Sequence, residues 1–437
     1  MRILLISFYF PPFNNIGAVR ASKMAKYFHR HGHDLRVVSA ENQLMPATLE
    51  LEIPKELVAY TPWRNVRRPA EWLVGAGREG TSQSAGLGHK APRRRLVSAL
   101  WDLYRTLLYV PDMQIGWYSF AAAECLRIAE TWKPDIIYAS AVPFTSLLVA
   151  RKVARRLNVP WVAEMRDLWT QSHFYSYPGW RKWLETKLER RVLGSAAGLV
   201  TVSEPLSKML LERYRQPVAV VTNGFDPSDF TFPEPQSSPG ELRIVYTGGL
   251  HACKYDLTPL WDALNNLGDA RRSVRLIFYG KPADLEIAKA AAAQHGAEEN
   301  IELRGLVPYR EAVRAQVEAD VLLFLIWEQG KLGEGVFSGK FFEYLGARRP
   351  ILAIGGSDNV AARVIIDKQA GIVTENPERI AGQLSAWLEM KKNSGIPPVS
   401  AEAGAEFTRE AQARKAEEFM ERLLSPEPTR IAAERSV

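Results

Sequence analysis

Short apolar runs rich in β-branched residues alternate with helical stretches along the whole chain. Strands are predicted at 2–7, 34–40, 135–141, 160–166, 198–203 and 218–224, and again at 242–249, 274–280, 301–307, 321–327, 349–356 and 371–375. Several are apolar at successive positions instead of alternating, as in Ile136-Ile137-Tyr138 and Val321-Leu322-Leu323-Phe324-Leu325. Strands with no polar face are covered on both sides, which predicts a parallel sheet with helices on each face and right-handed βαβ units. Residues 226–241 hold four prolines and cannot continue a sheet, so they read as a linker. Six predicted strands lie on each side of it. The fold class is therefore α/β: two Rossmann-like, doubly wound parallel-sheet domains, 1–225 and 242–399, facing a central cleft, with ligands beyond the carboxyl ends of the strands. A last helical stretch, about 400–424, follows the final strand and is expected to pack back on the first domain. The polar tail 425–437 reads as disordered.

Length agrees with this division, since 437 residues suit two domains of roughly 200 residues each. Apolar content of 46% and charged content of 24% fit a soluble globular protein. The longest apolar runs are about 7 residues, whereas a membrane-spanning helix needs about 20. Met1 to Ile6 is short, lacks a small-residue cleavage site and runs into Pro11-Pro12, so it reads as a first strand and not as a signal peptide. Cys125 and Cys253 make no metal spacing and suit a reducing, cytoplasmic setting.

Net charge is 56 − 49 = +7. Nothing resembles a nucleic-acid-binding module, so no nucleic acid is expected as partner. That leaves a solvated basic surface or attraction to anionic lipid heads. The basic residues Arg64, Arg67, Arg68, Arg78, Lys90 and Arg93-Arg94-Arg95 group in the first half. Residues 75–95 read as a mobile loop. The amphipathic stretch after them, Leu96 to Tyr109, fits either a helix on the amino-terminal sheet or, over 93–109, a peripheral contact with an anionic membrane on the inner face of the plasma membrane.

Three segments carry candidate chemistry. The first βα connection, Ser7 to Arg20, is too long for a tight dinucleotide turn and holds no Gly-x-Gly-x-x-Gly, which removes support for NAD. Gly17 opens the next helix, with Arg20 one turn in; Arg20 fits either an acceptor contact or a solvated helix charge. Tyr246-Thr247-Gly248-Gly249 repeats the arrangement in the second half, and its paired glycines let backbone amides approach a phosphate. A helix N-terminus alone offers an anion about 0.3–1 kcal/mol, so a full cation is wanted, and Lys254 stands at a suitable distance along the loop. The third segment runs from Glu334 to Leu352. Small residues at 335–339 precede a helix carrying Lys340 and, three residues on, Glu343. Free amides at such a helix start can cradle phosphate or sugar oxygens, and a carboxylate can accept from both hydroxyls of a ribose. An ordinary surface ion pair between Lys340 and Glu343 fits the spacing equally.

This third segment resembles the donor-binding signature of the large retaining GT-B glycosyltransferase family (family four), and further motifs follow in the right order over about 1–390. Pro11-Pro12 with Gly17, Ala18 and Arg20 is similar to the family's amino-terminal loop, and His31-Gly32-His33-Asp34-Leu35 to its Gly-His strand entry. Lys133-Pro134-Asp135, Val221-Thr222-Asn223-Gly224, Gly248, Gly249, Lys254, Gly280 and Gly305 also fit. Glu164-Met165-Arg166-Asp167-Leu168-Trp169 resembles the Arg-Asp-x-Trp variant of polysaccharide and aminosugar transferases.

The resemblance implies roles. Glu343 holds the ribose; Lys254 neutralises the diphosphate beside Gly248 and Gly249; Gly335, Val336 and Phe337 touch donor sugar or phosphate. Lys340, Gly280 and Leu306 fall on the donor side, and Gly17 with Arg20 on the acceptor side. Asp167, Lys254 and Glu334 are the catalytic candidates, although Asp167 also fits a helix N-cap. Two departures stand out. The family's two glutamates have seven residues between them, and counting back from Glu343 reaches Gly335 and not Glu334; an arginine usual in the phosphate loop is replaced by Gly249. The implied activity is transfer of a sugar from a UDP- or GDP-sugar to a lipid-linked or saccharide acceptor, with retention and with no cofactor or metal. A nucleotide-sugar epimerase and a catalytically inactive polysaccharide-assembly scaffold are the alternatives.

Overall fold

The computed structural model describes residues 1–66, 103–172, 175–232, 240–250, 255–327 and 337–425. The chain divides into two compact units: Met1–Val202 with Leu206–Val221 and the chain from Ala413, and Thr222–Gln412 with Ser203–Pro205.

The first unit holds, among the described residues, a seven-stranded parallel sheet. Its strands are β1 (Arg2–Ser7), β2 (Asp34–Ala40), β3 (Val58–Thr61), β4 (Ile136–Ala141), β5 (Trp161–Met165), β6 (Gly198–Thr201) and β7 (Val218–Val220), in the order β3-β2-β1-β4-β5-β6-β7. Burial on both faces explains the unbroken apolar runs. Leu4 and Ile6 join one core cluster with Trp117 and Val149, while Ile3 and Leu5 join another with Phe28 and Tyr138. The last helix, Arg409–Leu424, sends Ala413, Ala416, Phe419 and Met420 into that second cluster.

The second unit holds β8 (Leu242–Thr247), β9 (Val274–Tyr279), β10 (Ile301–Gly305), β11 (Val321–Leu325), β12 (Ile351–Ile354) and β13 (Gly371–Val373), all parallel, in the order β10-β9-β8-β11-β12-β13. Successive residues again go to opposite faces: Ile244 and Tyr246 to one core, Val245 to the other. In each sheet the strand order reverses once, beside β1 and beside β8. The carboxyl ends of those strands are where a doubly wound sheet opens a crevice for ligands, and both are followed by segments singled out in the sequence. Among the described residues no helix is long and apolar enough to cross a membrane.

Candidate donor site and acceptor-side residues

Beyond β8 the chain turns through Gly248 at φ +116°, a conformation that favours glycine. A side-chain carbon there would also stand 3.0 Å from the Lys340 ammonium. At the end of β9 the same carbon on Gly280 would stand 3.0 Å from the Gly248 carbonyl oxygen. The three strand ends are stitched by Gly248 N–H to Tyr279 O at 2.8 Å and Gly280 N–H to Gly305 O at 3.1 Å. Leu306, just past Gly305, is exposed.

The helix Gly339–Ala347 brings the polar groups. Its N-cap, Ser338, makes no side-chain cap hydrogen bond among the described residues. Spacing alone allowed Lys340 and Glu343 to pair with each other, but the lysine goes elsewhere. Its ammonium donates to the Tyr246 hydroxyl at 2.7 Å and sits 3.9 Å from the centre of that ring. The Tyr246 hydroxyl in turn donates to Gly249 O at 2.8 Å. Burial of the ammonium pushes the Lys340 pKa down to about 7, against the opposing pull of the Glu343 and Asp284 charges.

Glu343 accepts from Gln316 Nε2 at 3.1 Å, and the same nitrogen donates to Thr247 Oγ1 at 2.9 Å. Burial raises the Glu343 pKa, opposed by the Gln316 hydrogen bond and the charges of Arg409 and Lys340. Tyr344 Oη accepts from Thr247 N–H at 3.1 Å, which ties the helix to the end of β8. Gln316 Oε1 is buried without a hydrogen-bond partner among the described residues. The result is one cation against glycine-lined strand ends and one carboxyl group a helical turn away. That combination suits an anion joined to a polyol.

The structure thus brings together Gly248, Gly249, Gly280, Lys340 and Glu343. Phe337 turns its ring to Phe341 and Phe342, at 5.6 and 5.1 Å between centroids, and contributes to the core. Lys254, Glu334, Gly335 and Val336 lie outside the described residues, as do 67–102 and the tail from 426. From the sequence alone Tyr246 carries no role, and Gln316 is not singled out. An aromatic strand residue before two glycines, and a lone glutamine on the helix Tyr309–Glu318, carry no motif of their own.

In the first unit Gly17 donates its amide to Asn15 Oδ1 at 2.7 Å, the N-cap bond of the helix Ile16–Arg30, so that amide is already used. A side-chain carbon on Gly17 would stand 2.8 Å from the Arg166 guanidinium. Arg166 donates to Ala141 O and Val142 O, each at 2.7 Å, and its Nη1 has no hydrogen bond among the described residues. In the sequence Arg166 figures only as part of the Arg-Asp-x-Trp segment, with no role of its own. Asp167, next to it, is exposed in the bend after β5 and does not begin a helix, since the next one starts at Gly179.

Arg20, expected on the acceptor side, is buried. Its Nη2 pairs with Glu164 Oε1 at 2.8 Å and donates to Val221 O at 2.8 Å. Glu164 also accepts from Tyr138 Oη at 2.6 Å and from Ser140 Oγ. Arg20 and these hydrogen bonds hold the Glu164 carboxyl below the usual range despite its burial. The guanidinium is 1% exposed and engaged inside the unit.

Comparison with known proteins follows the same division. The Glycosyl transferase 4-like domain matches residues 17–224, and the Glycosyl transferases group 1 domain matches residues 241–390. No curated protein matches the sequence. Among solved structures, sucrose-phosphate synthase from Thermosynechococcus elongatus is similar at 14% identity over 97% of this chain and 99% of its own, with a TM-score of 0.61. HepE of Anabaena, solved in complex with UDP, is similar at 14% identity over 97% of this chain and 100% of its own, with a TM-score of 0.60. The lipopolysaccharide outer core galactosyltransferase WaaB is similar at 15% identity over 97% and 99%, with a TM-score of 0.53.

Proposed function

We propose that this chain, a glycosyltransferase of the group 1 type with the GT-B fold, moves a sugar from a UDP- or GDP-sugar to a lipid-linked or saccharide acceptor in the synthesis of cell-surface polysaccharide or glycolipid. The transfer retains anomeric configuration, needs no resident metal, and takes place in the cytoplasm or at the inner face of the membrane. UDP is the nucleotide bound to HepE, and WaaB is a lipopolysaccharide galactosyltransferase; both agree with this reading.

The observation that carries it is the Lys340 ammonium set 3.0 Å from where a Gly248 side chain would begin, with Glu343 one turn further along the same helix. Lys340 meets the diphosphate, the Gly248–Gly249 turn lets it approach, and Glu343 takes the ribose hydroxyls. As the bond from the anomeric carbon to the phosphate oxygen breaks, its electron pair goes to the nucleoside diphosphate, and the Lys340 charge stabilises it there. The acceptor hydroxyl attacks from the leaving group's own face, and its proton passes to the departing phosphate. Asp167, exposed after β5, is assigned to the transferring sugar. Lys254, Glu334, Gly335 and Val336 complete the proposed donor site, and Gly17 borders the acceptor.

The test is nucleotide release from a panel of UDP- and GDP-sugars with lipid-linked and saccharide acceptors, with NMR of the products. Acceptor-dependent release of UDP or GDP with a new glycosidic bond is expected. An altered nucleotide sugar formed without any acceptor contradicts transfer and identifies an epimerase. Nucleotide binding with no turnover identifies a scaffold.

A further inference from the structure

The helix Gly179–Leu193 buries Val192 and Leu193 in the core with its last turn, but its earlier turns are inverted. Its buried positions include Arg181, Glu185 and Glu189, one turn apart along one face. Its exposed positions include Trp180 (49%), Trp183 (57%) and Leu184 (49%). A helix on a globular protein normally shows the reverse, with apolar residues facing the core.

The inward charges are fully used. Arg181 pairs with Glu185 at 2.7 Å, and Glu185 also accepts from Trp169 Nε1 at 3.1 Å. Glu189 accepts from Tyr214 Oη at 2.9 Å and Thr170 N–H at 3.2 Å. The outward tryptophans are thus not a slip of register; the polar face has a built environment. Arg181 further donates to Arg105 O at 2.8 Å and Thr106 O at 3.0 Å, and to Tyr109 O. Those bonds hold the helical turn 103–108 against this helix, and that turn exposes Leu103, Leu107 and Leu108 by 50–55%.

Cations accompany the apolar surface. Lys182, Lys187, Arg190 and Arg191 are exposed on the same helix, and Lys187 Nζ lies 3.5 Å from the Trp183 ring centroid. Indole rings with a polar edge, leucines, and long cationic side chains able to reach outward are the chemistry that a bilayer interface recognises. Grouped apolar surface of this kind signals an interaction site, and the positive charge selects its partner.

We propose that the outer face of Gly179–Leu193, together with Leu103, Leu107 and Leu108, docks on an anionic phospholipid surface. The tryptophans and leucines enter the headgroup region, while Lys182, Lys187, Arg190 and Arg191 meet lipid phosphates. The surface lies on the first unit, apart from the donor residues of the second, so this inference stands or falls separately from the donor assignment.

The test is co-sedimentation of the full chain with vesicles of phosphatidylcholine alone and of phosphatidylcholine mixed with phosphatidylglycerol, with UDP affinity measured in parallel. Binding to the mixed vesicles only, weakened by salt, is expected. The double variant Trp180→Ser/Trp183→Ser weakens it by about tenfold or more, and Lys187→Gln/Arg191→Gln by about fivefold per cation, while UDP affinity stays unchanged. Quenching of wild-type tryptophan emission by brominated phosphatidylcholine in the mixed vesicles is expected without any variant. No vesicle binding, equal binding to both vesicle types, no quenching, or unchanged binding in the tryptophan variant overturns the proposal. So does a dimer in sedimentation that the tryptophan variant abolishes while vesicle binding is absent. Loss of UDP binding in the wild type with vesicle binding intact overturns the donor assignment alone.

Discussion

If Lys340 is the cation that meets the donor diphosphate, affinity for UDP must fall as pH rises above neutrality. Burial pushes the Lys340 pKa down to about 7. At pH 7 about half the molecules carry the ammonium, and at pH 9 about one in a hundred. A diphosphate beside the nitrogen favours the charged form and raises the pKa in the complex. If it stays above 9 there, linkage gives a fall of about fiftyfold in affinity between pH 7 and pH 9. UDP itself is fully ionised over this range, because second phosphate pKa values lie near 6. The assay is isothermal titration with UDP across the range, repeated at pH 7 in buffers of different ionisation enthalpy, where binding takes up about half a proton. Lys340→Arg, charged throughout, should give a flat profile, and Lys340→Met a flat but weaker one. Ligand-free stability moves the other way. The folded pKa lies below the ordinary 10.5, so the unfolded chain binds more protons between about 7 and 10.5, and stability rises with pH across that window. A wild-type affinity independent of pH, or the same slope in Lys340→Arg, refutes the reasoning.

Other outcomes follow from the same geometry. Glu343→Gln removes the charged acceptor for ribose and should cost about 1.5–3 kcal/mol of UDP affinity by titration, roughly 10- to 150-fold. Gly248→Ala places a side chain at φ +116° and against the Lys340 ammonium; it should lower stability by about 1 kcal/mol or more in urea unfolding and weaken UDP binding as well. Arg20→Met leaves Glu164 buried without its cation, and urea unfolding should show a loss of about 3–5 kcal/mol. Turnover should persist in EDTA, because the proposed charge stabilisation comes from Lys340 and backbone amides; loss of turnover with EDTA and recovery with magnesium would contradict that.

What the sequence disclosed follows from what its periodicity can express. Strands buried on both faces, such as Val321–Leu325, announce a parallel sheet whatever their neighbours. β3 escaped notice because Val58–Thr61 is a four-residue edge strand with only Thr61 fully buried, so it lacks that signal. The donor loop was legible as glycines, but Tyr246 was not: its function arises from a lysine 94 positions away laying its ammonium on the ring. Arg20 reads as an acceptor contact or a solvated helix charge because its partner Glu164 sits inside an apolar strand, and only packing shows that the two neutralise each other. The helix Gly179–Leu193 carries no signal of this kind in the sequence: charges four apart at Arg181, Glu185 and Glu189 fit a solvated face by spacing alone, yet they point inward to partners supplied by Trp169, Thr170 and Tyr214.

The central claim is the placement of a nucleotide diphosphate on the second unit, and a crystal structure of the chain with a UDP- or GDP-sugar tests it most directly. The account predicts the pyrophosphate on Lys340 Nζ and the Gly249 amide, with the ribose hydroxyls on Glu343. A nucleotide bound away from the carboxyl end of β8, or a bound nucleotide touching neither Lys340 nor Glu343, would contradict it.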